Sequence, residues 1–401
     1  MMTKIAHILL PAGFFCLLPA SLHGDTFNEI VDKAVSHSPV LKVSAARMEA
    51  ELEDMKAENT LPDPEVEFER LWRSGEGENR WSAGISQEIG WPGLYSARRK
   101  ASQSLQKAQE AQLTNDSINE RLRASQLVVE IIAANKETKV LAEINSAMQA
   151  QQTHYLQAWE HGETTILDVN KIKIETARSA TALENAKSRL RSLAAEFRSM
   201  SGTENINIPT DLDFPHETLA DINDYLAALE KHPELESLRR MVDVARNSST
   251  VAKASRFPGI SIGYNHAYED GSHFNGFSIG LSLPVWSRKH SLKAAKATDL
   301  AAKFDLSART IALETQLLSD YANATSLYAQ MYDLGPVVDG VNNLTLLRKA
   351  LDGGELNLLS YIQEVNYFLQ ARLDYIALGK EYAILALKLN TLLKSAENTT
   401  F

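Results

Sequence analysis

The feature that most constrains this fold is a long run without proline or glycine, which extends from Tyr95 to Trp159. Alanine, glutamine, glutamate, lysine and leucine dominate the run, and these residues favour helix. Apolar residues recur at steps of three and four, as at Leu141, Ile144 and Met148, which is the spacing of a coiled-coil seam. A helix of this length would extend roughly 100 Å. The sequence therefore predicts an elongated helical structure that needs neighbouring helices.

Landmarks in the first half of the chain recur in the second half in the same order. They are a histidine close to a proline, an alternating segment that ends in proline, and a glycine turn. Their positions are 37–39 and 232–233, 85–92 and 281–284, and 162–168 and 354–360. Ordered repetition of this kind indicates an internal duplication. Each copy is predicted to contain a helix, two strands, a very long helix, a glycine turn and a returning helix.

The N-terminus has the pattern of a cleaved secretory signal. Lys4 precedes an apolar run over 8–18, and small residues follow it. The only cysteine, Cys16, lies inside that run, so we predict no disulfide and no cysteine-based metal site after cleavage. The predicted segments are a signal peptide at 1–24, a first repeat at 25–203, a linker at 204–216, a second repeat at 217–396 and a C-terminal tail at 397–401.

Four short segments alternate apolar residues with small or polar ones, which is the pattern of β-strands. They surround Val66, Trp81, Ile260 and Phe277. Strands of a membrane barrel show this alternation, and so does a half-buried sheet of a soluble protein. The pattern by itself leaves both interpretations open. Because four strands cannot close a barrel, the barrel interpretation requires several copies of the chain.

Composition and motifs argue against several classes of function. The formal net charge is −10, from 41 Lys and Arg against 51 Asp and Glu, whereas binding to nucleic acid requires a basic surface. The sequence lacks the glycine motifs of nucleotide-binding enzymes and the motifs of serine hydrolases and zinc proteases. We therefore predict no enzyme activity and no cofactor. The ten histidines show no spacing typical of metal ligands, and His266 and His273 flank a predicted surface loop.

The segment Gly162–Val169, which reads Gly-Glu-Thr-Thr-Ile-Leu-Asp-Val, resembles the Gly-x-x-(Ser/Thr)-x-x-Asp-Val turn of the TolC family of outer-membrane efflux proteins. The resemblance extends over nearly the whole chain after the predicted signal. It implies an α+β, mostly α fold, in which long antiparallel helical hairpins form a periplasmic tunnel. It also implies that four strands per subunit contribute to a twelve-stranded, trimeric β-barrel in the outer membrane.

The resemblance implies particular partners and particular roles for the two glycine turns. The partners are two further copies of the chain, a periplasmic adaptor protein, an inner-membrane pump of the RND type in preference to the ABC type, and outer-membrane lipid. The turns would dock the adaptor at the periplasmic end. The implied docking residues are Gly162, Thr164, Thr165, Ile166, Leu167, Asp168, Val169, Gly354, Leu356, Leu358, Leu359 and Ser360.

A gate at the same turns is implied to involve Asp168, Glu355, Ser360 and Glu364. The sequence departs from the family here, because Ser360 and Gln363 stand where well-known members carry aspartates that ring the pore. Asp168 matches the family position. Glu355 and Glu364 lie near the departing positions, and the alternative interpretation is that they are ordinary solvated charges on a helix.

The function implied is a passive export duct in the outer membrane, without catalysis, that joins an adaptor and a pump. Residues 86–93, followed by Arg98 and Arg99, are similar to the heavy-metal-resistance, CzcC-like branch, which makes heavy-metal cations one candidate cargo. Two alternatives remain. A periplasmic adaptor, or membrane fusion protein, also has a secretion signal and a helical hairpin but shows no duplication. A type I secretion exit duct would share the tunnel and differ in its cargo.

Overall fold

The computed structural model describes residues 26–72, 74, 79–203, 206–284, 288–339 and 343–398. The predicted signal peptide lies outside the described residues, as do residues 204 and 205 of the predicted linker and residues 399–401 of the predicted tail. The elements are α1 (Phe27–His37), α2 (Pro39–Glu58), β1 (Glu65–Leu71), β2 (Arg80–Ile89), α3 (Pro92–Glu160), α4 (Ile166–Ser201), α5 (Ile222–Leu229), α6 (Pro233–Ala254), β3 (Gly259–Glu269), β4 (Ser272–Ser282), α7 (Arg288–Asp339), α8 (Asn343–Asp352) and α9 (Leu358–Asn398).

The predicted long helix is present as α3, a single helix of 69 residues. Helix α4 returns beside it after the turn at Gly162. In the second half, the structure describes α7 up to Asp339, with Pro336 inside the helix, and α8 leads from Asn343 to the turn at Gly354. A proline inside a helix removes one backbone hydrogen bond and clashes with the preceding turn.

Two helices, and not the single helix predicted, come before the strands in each half. The break between α1 and α2 falls at Ser38-Pro39, and the break between α5 and α6 falls at His232-Pro233. The cause is proline, which disfavours the helical conformation in the residue before it but is well suited to the first turn of a new helix. The buried Ser38 Oγ donates a hydrogen bond to Glu120 Oε1 on α3 at 2.7 Å, which fixes the first break against the long helix.

The strands form one antiparallel sheet in the order β1-β2-β3-β4. Val66, Ile85, Tyr264 and Phe277 stand opposite one another in a row across the sheet. The next row contains Glu65, Ser86, Gly263 and Ser278. Because side chains alternate between faces along a strand, the rows give one apolar face and one face of small and polar residues, as the sequence predicted.

Neither face of this sheet is covered. Within the described part of the chain, the strands make extensive contacts only with one another. On the apolar face Phe277 is 86% exposed, Ile279 79% and Val66 78%. A soluble protein buries the apolar face of a sheet against another layer, and the described residues place no such layer on this sheet. The subunit therefore presents a wide apolar surface that requires lipid or protein around it.

The core lies between the helices, in several apolar clusters. In the first half, α1, α3 and α4 surround Ile30, Val128, Ile132 and Phe197. In the second half, α5, α7 and α9 surround a cluster that includes Tyr225. Helix α3 also packs against α6 and α9, so the two halves form one helical body. None of the described helices has a stretch long and apolar enough to cross a membrane.

Candidate tip and sheet sites

The first tip is the turn between α3 and α4. The N–H of Gly162 donates to the carbonyl of Trp159 at 3.0 Å, and the N–H of Glu163 donates to the carbonyl of Ala158 at 2.8 Å. This pair of bonds is the Schellman motif, which ends a helix with one residue in the left-handed region. Gly162 has φ = +77°, a conformation that costs other residues energy.

The second tip, between α8 and α9, repeats this geometry. The N–H of Gly354 donates to the carbonyl of Leu351 at 3.1 Å, and the N–H of Glu355 donates to the carbonyl of Ala350 at 2.9 Å. Gly354 has φ = +72°. The two turns are therefore the same motif at matching positions of the two halves, although the helices that lead to them differ.

A capping residue follows each glycine after three positions. At the first tip, Thr165 Oγ1 accepts a hydrogen bond from the N–H of Asp168 at 3.2 Å and donates to Asp168 Oδ2 at 2.7 Å. Lys171 Nζ lies 3.1 Å from Asp168 Oδ1. The hydrogen bond from Thr165, and then that from Lys171, lower the pKa of Asp168 below its ordinary value. The carboxylate is thus held in its charged form at the start of α4, where a helix favours negative charge.

The cap of the second tip was not predicted. Asn357 Oδ1 accepts a hydrogen bond from the N–H of Ser360 at 2.9 Å. Asn357 and Ser360 stand in the positions that Thr165 and Asp168 occupy at the first tip. The sequence did contain a signal for this role, since asparagine is among the preferred residues at the start of a helix.

The two tips of one subunit are held together by an apolar cluster. Met148 of α3, Ile172 of α4 and Tyr361 of α9 are buried in it. Tyr155 lies at its edge, and its pKa is raised first by burial and then by the charges of Asp168 and Asp352. Leu351 and Leu358, on either side of the turn at Gly354, belong to the same cluster, so residues from both tips pack together. Thr176 adds a hydrogen bond to the carbonyl of Met148 at 3.2 Å.

The residues predicted to dock a partner divide into exposed and buried ones. Leu167 is 67% exposed, and Ile166 and Leu359 are about half exposed, so these three offer apolar surface at the end of the helices. Val169 and Leu358 are buried in the subunit. Their side chains hold the turns in place and contribute no accessible surface.

The predicted gate residues lie at both turns. Glu355 and Glu364 are exposed, and Ser360 is half-buried at the start of α9. The Asp168 carboxylate already has two hydrogen-bonding partners inside the subunit. In the described residues, no group of three or more His, Cys, Asp or Glu side chains is arranged to hold a metal ion.

The sheet carries aromatic residues at both ends. At the end away from the helices, Trp81 stacks with Phe68 and Tyr268, with ring centroids 6.3 and 6.4 Å apart. At the end near the helices, Trp91 stacks with Phe257 at 5.3 Å. Aliphatic residues such as Ile262 and Ile279 lie between the two groups. An apolar band between two aromatic belts is the surface of a membrane barrel.

Helix α7 carries a second apolar surface. Leu300, Phe304, Ile311 and Leu318 are all exposed, and Phe304 is 65% exposed. Their spacing of four and seven residues places them along one stripe of the helix. We call these four residues the α7 stripe. Such a stripe is suited to packing against a helix of another copy.

An open four-stranded sheet joined to long helical hairpins is the fold that this chain shares with several solved outer-membrane channels. A membrane protein from Pseudomonas aeruginosa superposes with a TM-score of 0.76 at 16% identity, covering 92% of this chain and 90% of that one. The outer-membrane channel CmeC of Campylobacter jejuni gives 0.73 at 14%, covering 98% and 94%. CusC, whose structures concern folding and transmembrane channel formation, gives 0.72 at 12%, covering 92% of each.

These similarities confirm the predicted fold class, mostly helical with four antiparallel strands. At identities of 12–16% they show the fold. Neither a protein-family model nor a curated protein sequence matches the chain.

Proposed function

We propose that this chain is the outer-membrane channel of a tripartite efflux system, a passive duct whose energy comes from an inner-membrane pump. The observation that carries the proposal is the uncovered sheet, apolar on one face and polar on the other, joined to long helices of which α3 extends about 100 Å. The apolar face meets lipid, the polar face meets water, and the helices extend the path into the periplasm. The outer-membrane channel CmeC, which has this fold, supports the assignment.

The dimensions of the sheet fit a lipid bilayer. Strands β3 and β4 each contain 11 residues, which extend about 37 Å. Tilted by about 45°, as in membrane barrels, they span roughly 25 Å, the height of the apolar band of an outer-membrane barrel. The aromatic groups at the two ends of the sheet would then lie at the two membrane surfaces.

A homotrimer would cover two surfaces that a single subunit leaves open, namely the edges of the sheet and the α7 stripe. Strands β1 and β4 are the edges of the sheet, and open edges pair readily with other strands. If β4 of one copy pairs with β1 of the next, three copies close a twelve-stranded barrel without edges. The α7 stripe lies on the same subunits and would be buried between neighbours in the tunnel.

The tips are the proposed site of docking and gating. An adaptor would contact the exposed side chains Ile166, Leu167 and Leu359 beside the turns at Gly162 and Gly354. The remaining predicted docking residues, except the buried Val169 and Leu358, supply the backbone and polar surface of the turns. Asp168, Glu355, Ser360 and Glu364 are the proposed constriction. Opening requires only the free-energy difference between two packings of the tips, so adaptor contacts of a few kcal/mol suffice to bias it.

The proposal also concerns which cargo the channel exports and which type of pump it joins. The likeness of residues 86–93 to the CzcC-like branch supports heavy-metal cations as cargo and an RND-type pump. A type I secretion exit duct has the same conduit and is distinguished by its cargo. The periplasmic adaptor alternative is disfavoured, because a large uncovered apolar sheet and two matching tips in one chain serve no purpose in a single-hairpin adaptor.

The experiment that tests the channel is purification of the full chain from outer-membrane fractions, followed by conductance in planar bilayers. A heat-labile trimer with water-filled conductance is expected. A monomer in the periplasmic fraction would overturn the proposal. Growth of a deletion strain on metal salts and unrelated toxic compounds then tests the cargo. Selective sensitivity to copper, zinc, cobalt or cadmium supports the metal branch, whereas broad drug sensitivity, or loss of one secreted protein, rejects it.

A further inference from the structure

Two histidines meet on the apolar face of the sheet, beside the β3–β4 turn. Tyr268 stands opposite His273, and His266 stands opposite Asn275. His266 and His273 are therefore diagonal neighbours on adjacent strands, with both side chains on one face. Their ring centroids are 5.3 Å apart. The two histidines are seven residues apart in the sequence, which is not a typical metal-ligand spacing. They form a close pair because the chain reverses between them.

The ring nitrogens of this pair are separated by the distance between two metal ligands. His273 Nδ1 lies 3.4 Å from His266 Nε2. Two imidazole nitrogens that each lie about 2.0–2.1 Å from a tetrahedral zinc ion are about 3.3 Å apart. Without metal, a single N–H fills the gap between the two nitrogens. A cation bound by both nitrogens would lie to one side of the line that joins them, because a point on that line is only about 1.7 Å from each nitrogen. Each ring would turn so that its lone pair points at the ion.

A neighbouring amide orients one of the ligands. His266 Nδ1 lies 2.7 Å from Asn275 Oδ1, and Tyr264 Oη donates to the same oxygen at 2.9 Å. An amide oxygen can only accept hydrogen bonds, so His266 carries its proton on Nδ1. Its Nε2 then presents a lone pair towards His273. Histidine ligands of metal sites are oriented in this way by an acceptor on their second nitrogen.

The surroundings leave one side of the pair open. Trp81 lies against His266 with ring centroids 5.4 Å apart, and Tyr268 lies against His273 at 5.1 Å. These rings cover the pair from β2 and β3. His273 is exposed, so an ion can enter and water can complete its coordination. The described residues offer no third His, Cys, Asp or Glu ligand at this place.

We propose that His266 and His273 form a two-histidine binding site for a divalent late transition-metal cation. Imidazole pairs suit nickel, copper and zinc, and copper(II) binds most tightly in that series. On binding, the proton of His273 moves from Nδ1 to Nε2, so both facing nitrogens donate lone pairs to the ion. Water occupies the remaining positions. The proposed metal site does not depend on the proposed channel function, because metal binding is measured on the purified protein in the absence of transport.

The test is titration of copper(II) into the full chain, purified in detergent with a tag free of histidine. Wild type is expected to bind one ion per chain, and electron paramagnetic resonance is expected to show two nitrogen ligands. H266Q and H273Q should each weaken binding at least about 100-fold, as much as or more than loss of an outer-shell partner. H154Q, which removes an exposed histidine on α3, is the matched control and should bind as wild type does.

Two further variants test the orienting amide. N275A removes the acceptor for His266 and should weaken copper about 10- to 100-fold, whereas N275D keeps an acceptor and should bind at least as well as wild type. Binding that survives both H266Q and H273Q, a resonance signal with a single nitrogen in wild type, or equal displacement of copper by magnesium would each overturn the proposal.

Discussion

The two helical hairpins end in the same turn but reach it in different ways. In the first hairpin, α3 runs for 69 residues without interruption. In the second, α7 contains Gly335 and Pro336 close to Asp339, and α8 leads to the turn at Gly354. A Cβ at Gly335 would lie 3.2 Å from Tyr375 Oη, so glycine allows α9 to approach α7 closely at this point. The outgoing helix of the second hairpin thus contains a proline in its interior, whereas α3 has none between Tyr95 and Trp159.

The hairpins also differ in where they bury their apolar residues. Val128 and Ile132 of α3 are buried within the subunit, whereas Phe304 and Ile311 of the α7 stripe are exposed. In its middle part the first hairpin covers these apolar residues within one chain, whereas the second leaves the α7 stripe exposed. In the proposed trimer, the second hairpin is therefore the part whose packing depends on assembly.

The largest expected effect is loss of the trimer on charging the α7 stripe. Phe304→Asp combined with Ile311→Asp places two carboxylates in a surface that should be buried between copies, where an unpaired charge is costly. We expect a monomer by light scattering with unchanged helical circular dichroism. Ala312→Asp combined with Gln316→Asp adds the same charge to another exposed side of α7 and should leave the trimer intact. A stripe variant that remains trimeric would remove this surface from the interface.

The next effect concerns helix continuity. Ala142→Pro breaks α3 at an exposed position and should lower the free energy of unfolding by about 3 kcal/mol or more. Pro336→Ala in α7 should be neutral or stabilising, since it restores a helical hydrogen-bond donor. Thermal unfolding followed by circular dichroism measures both variants. Ala142→Gly, expected to cost only about 1 kcal/mol, is the control. If Ala142→Pro is no worse than Ala142→Gly, α3 does not act as one rigid helix.

Substitution of either tip glycine should lower the free energy of unfolding by a similar amount, whereas substitutions in the helices that lead to the two tips should differ in their effects. Gly162→Ala and Gly354→Ala meet no atoms within 4 Å, so the cost is conformational alone, about 1–2 kcal/mol each for a left-handed residue. Gly162→Asn and Gly354→Asn should cost less, because asparagine tolerates that conformation. Thermal unfolding of the four variants measures this. A much larger cost at one glycine would show that its turn is packed against a neighbouring copy.

The smallest effect is acid sensitivity at the first tip. The pKa of Asp168 is lowered from its ordinary value of 3.8, so its stabilising contribution is present above that value and is lost as the pH falls through the lowered pKa. Asp168→Asn should remove about 0.5 kcal/mol near neutral pH, with a difference from wild type that shrinks under acid. Ser360→Asp should introduce the same acid dependence at the second tip. The free energy of unfolding, measured across pH, tests both variants. A difference between Asp168→Asn and wild type that grows as the pH falls would contradict a stabilising role of the Asp168 carboxylate.

Several features were accessible from the sequence because they depend on neighbours along the chain. The absence of proline and glycine between Tyr95 and Trp159 predicted the continuous α3. The alternation around Ile260 and Phe277 predicted strand faces that the register confirms. Glycine and proline are typical of the end of a helix, so the sequence did not predict that α7 continues through Gly335 and Pro336 to Asp339.

The His266–His273 pair shows the limit of that reasoning. It depends on which side chains face each other after the chain turns, and no period in the sequence encodes a diagonal neighbour across a strand pair. The same limit applies to burial, because the apolar spacing of α7 does not show that Leu317 is buried in the subunit while Phe304 and Ile311 are exposed.

The sequence by itself determined the helical and strand periods, the two left-handed glycine turns and the order of elements along the four-stranded meander. These follow from interactions within a few residues, which act in any surroundings. Only the tertiary structure decided that, within the described residues, no other layer covers either face of the sheet, which argues against a half-buried sheet of a soluble protein. The physical reason is that burial depends on what another part of the chain, or another copy of it, places against a surface, and hydrophobic burial is not directional along the chain.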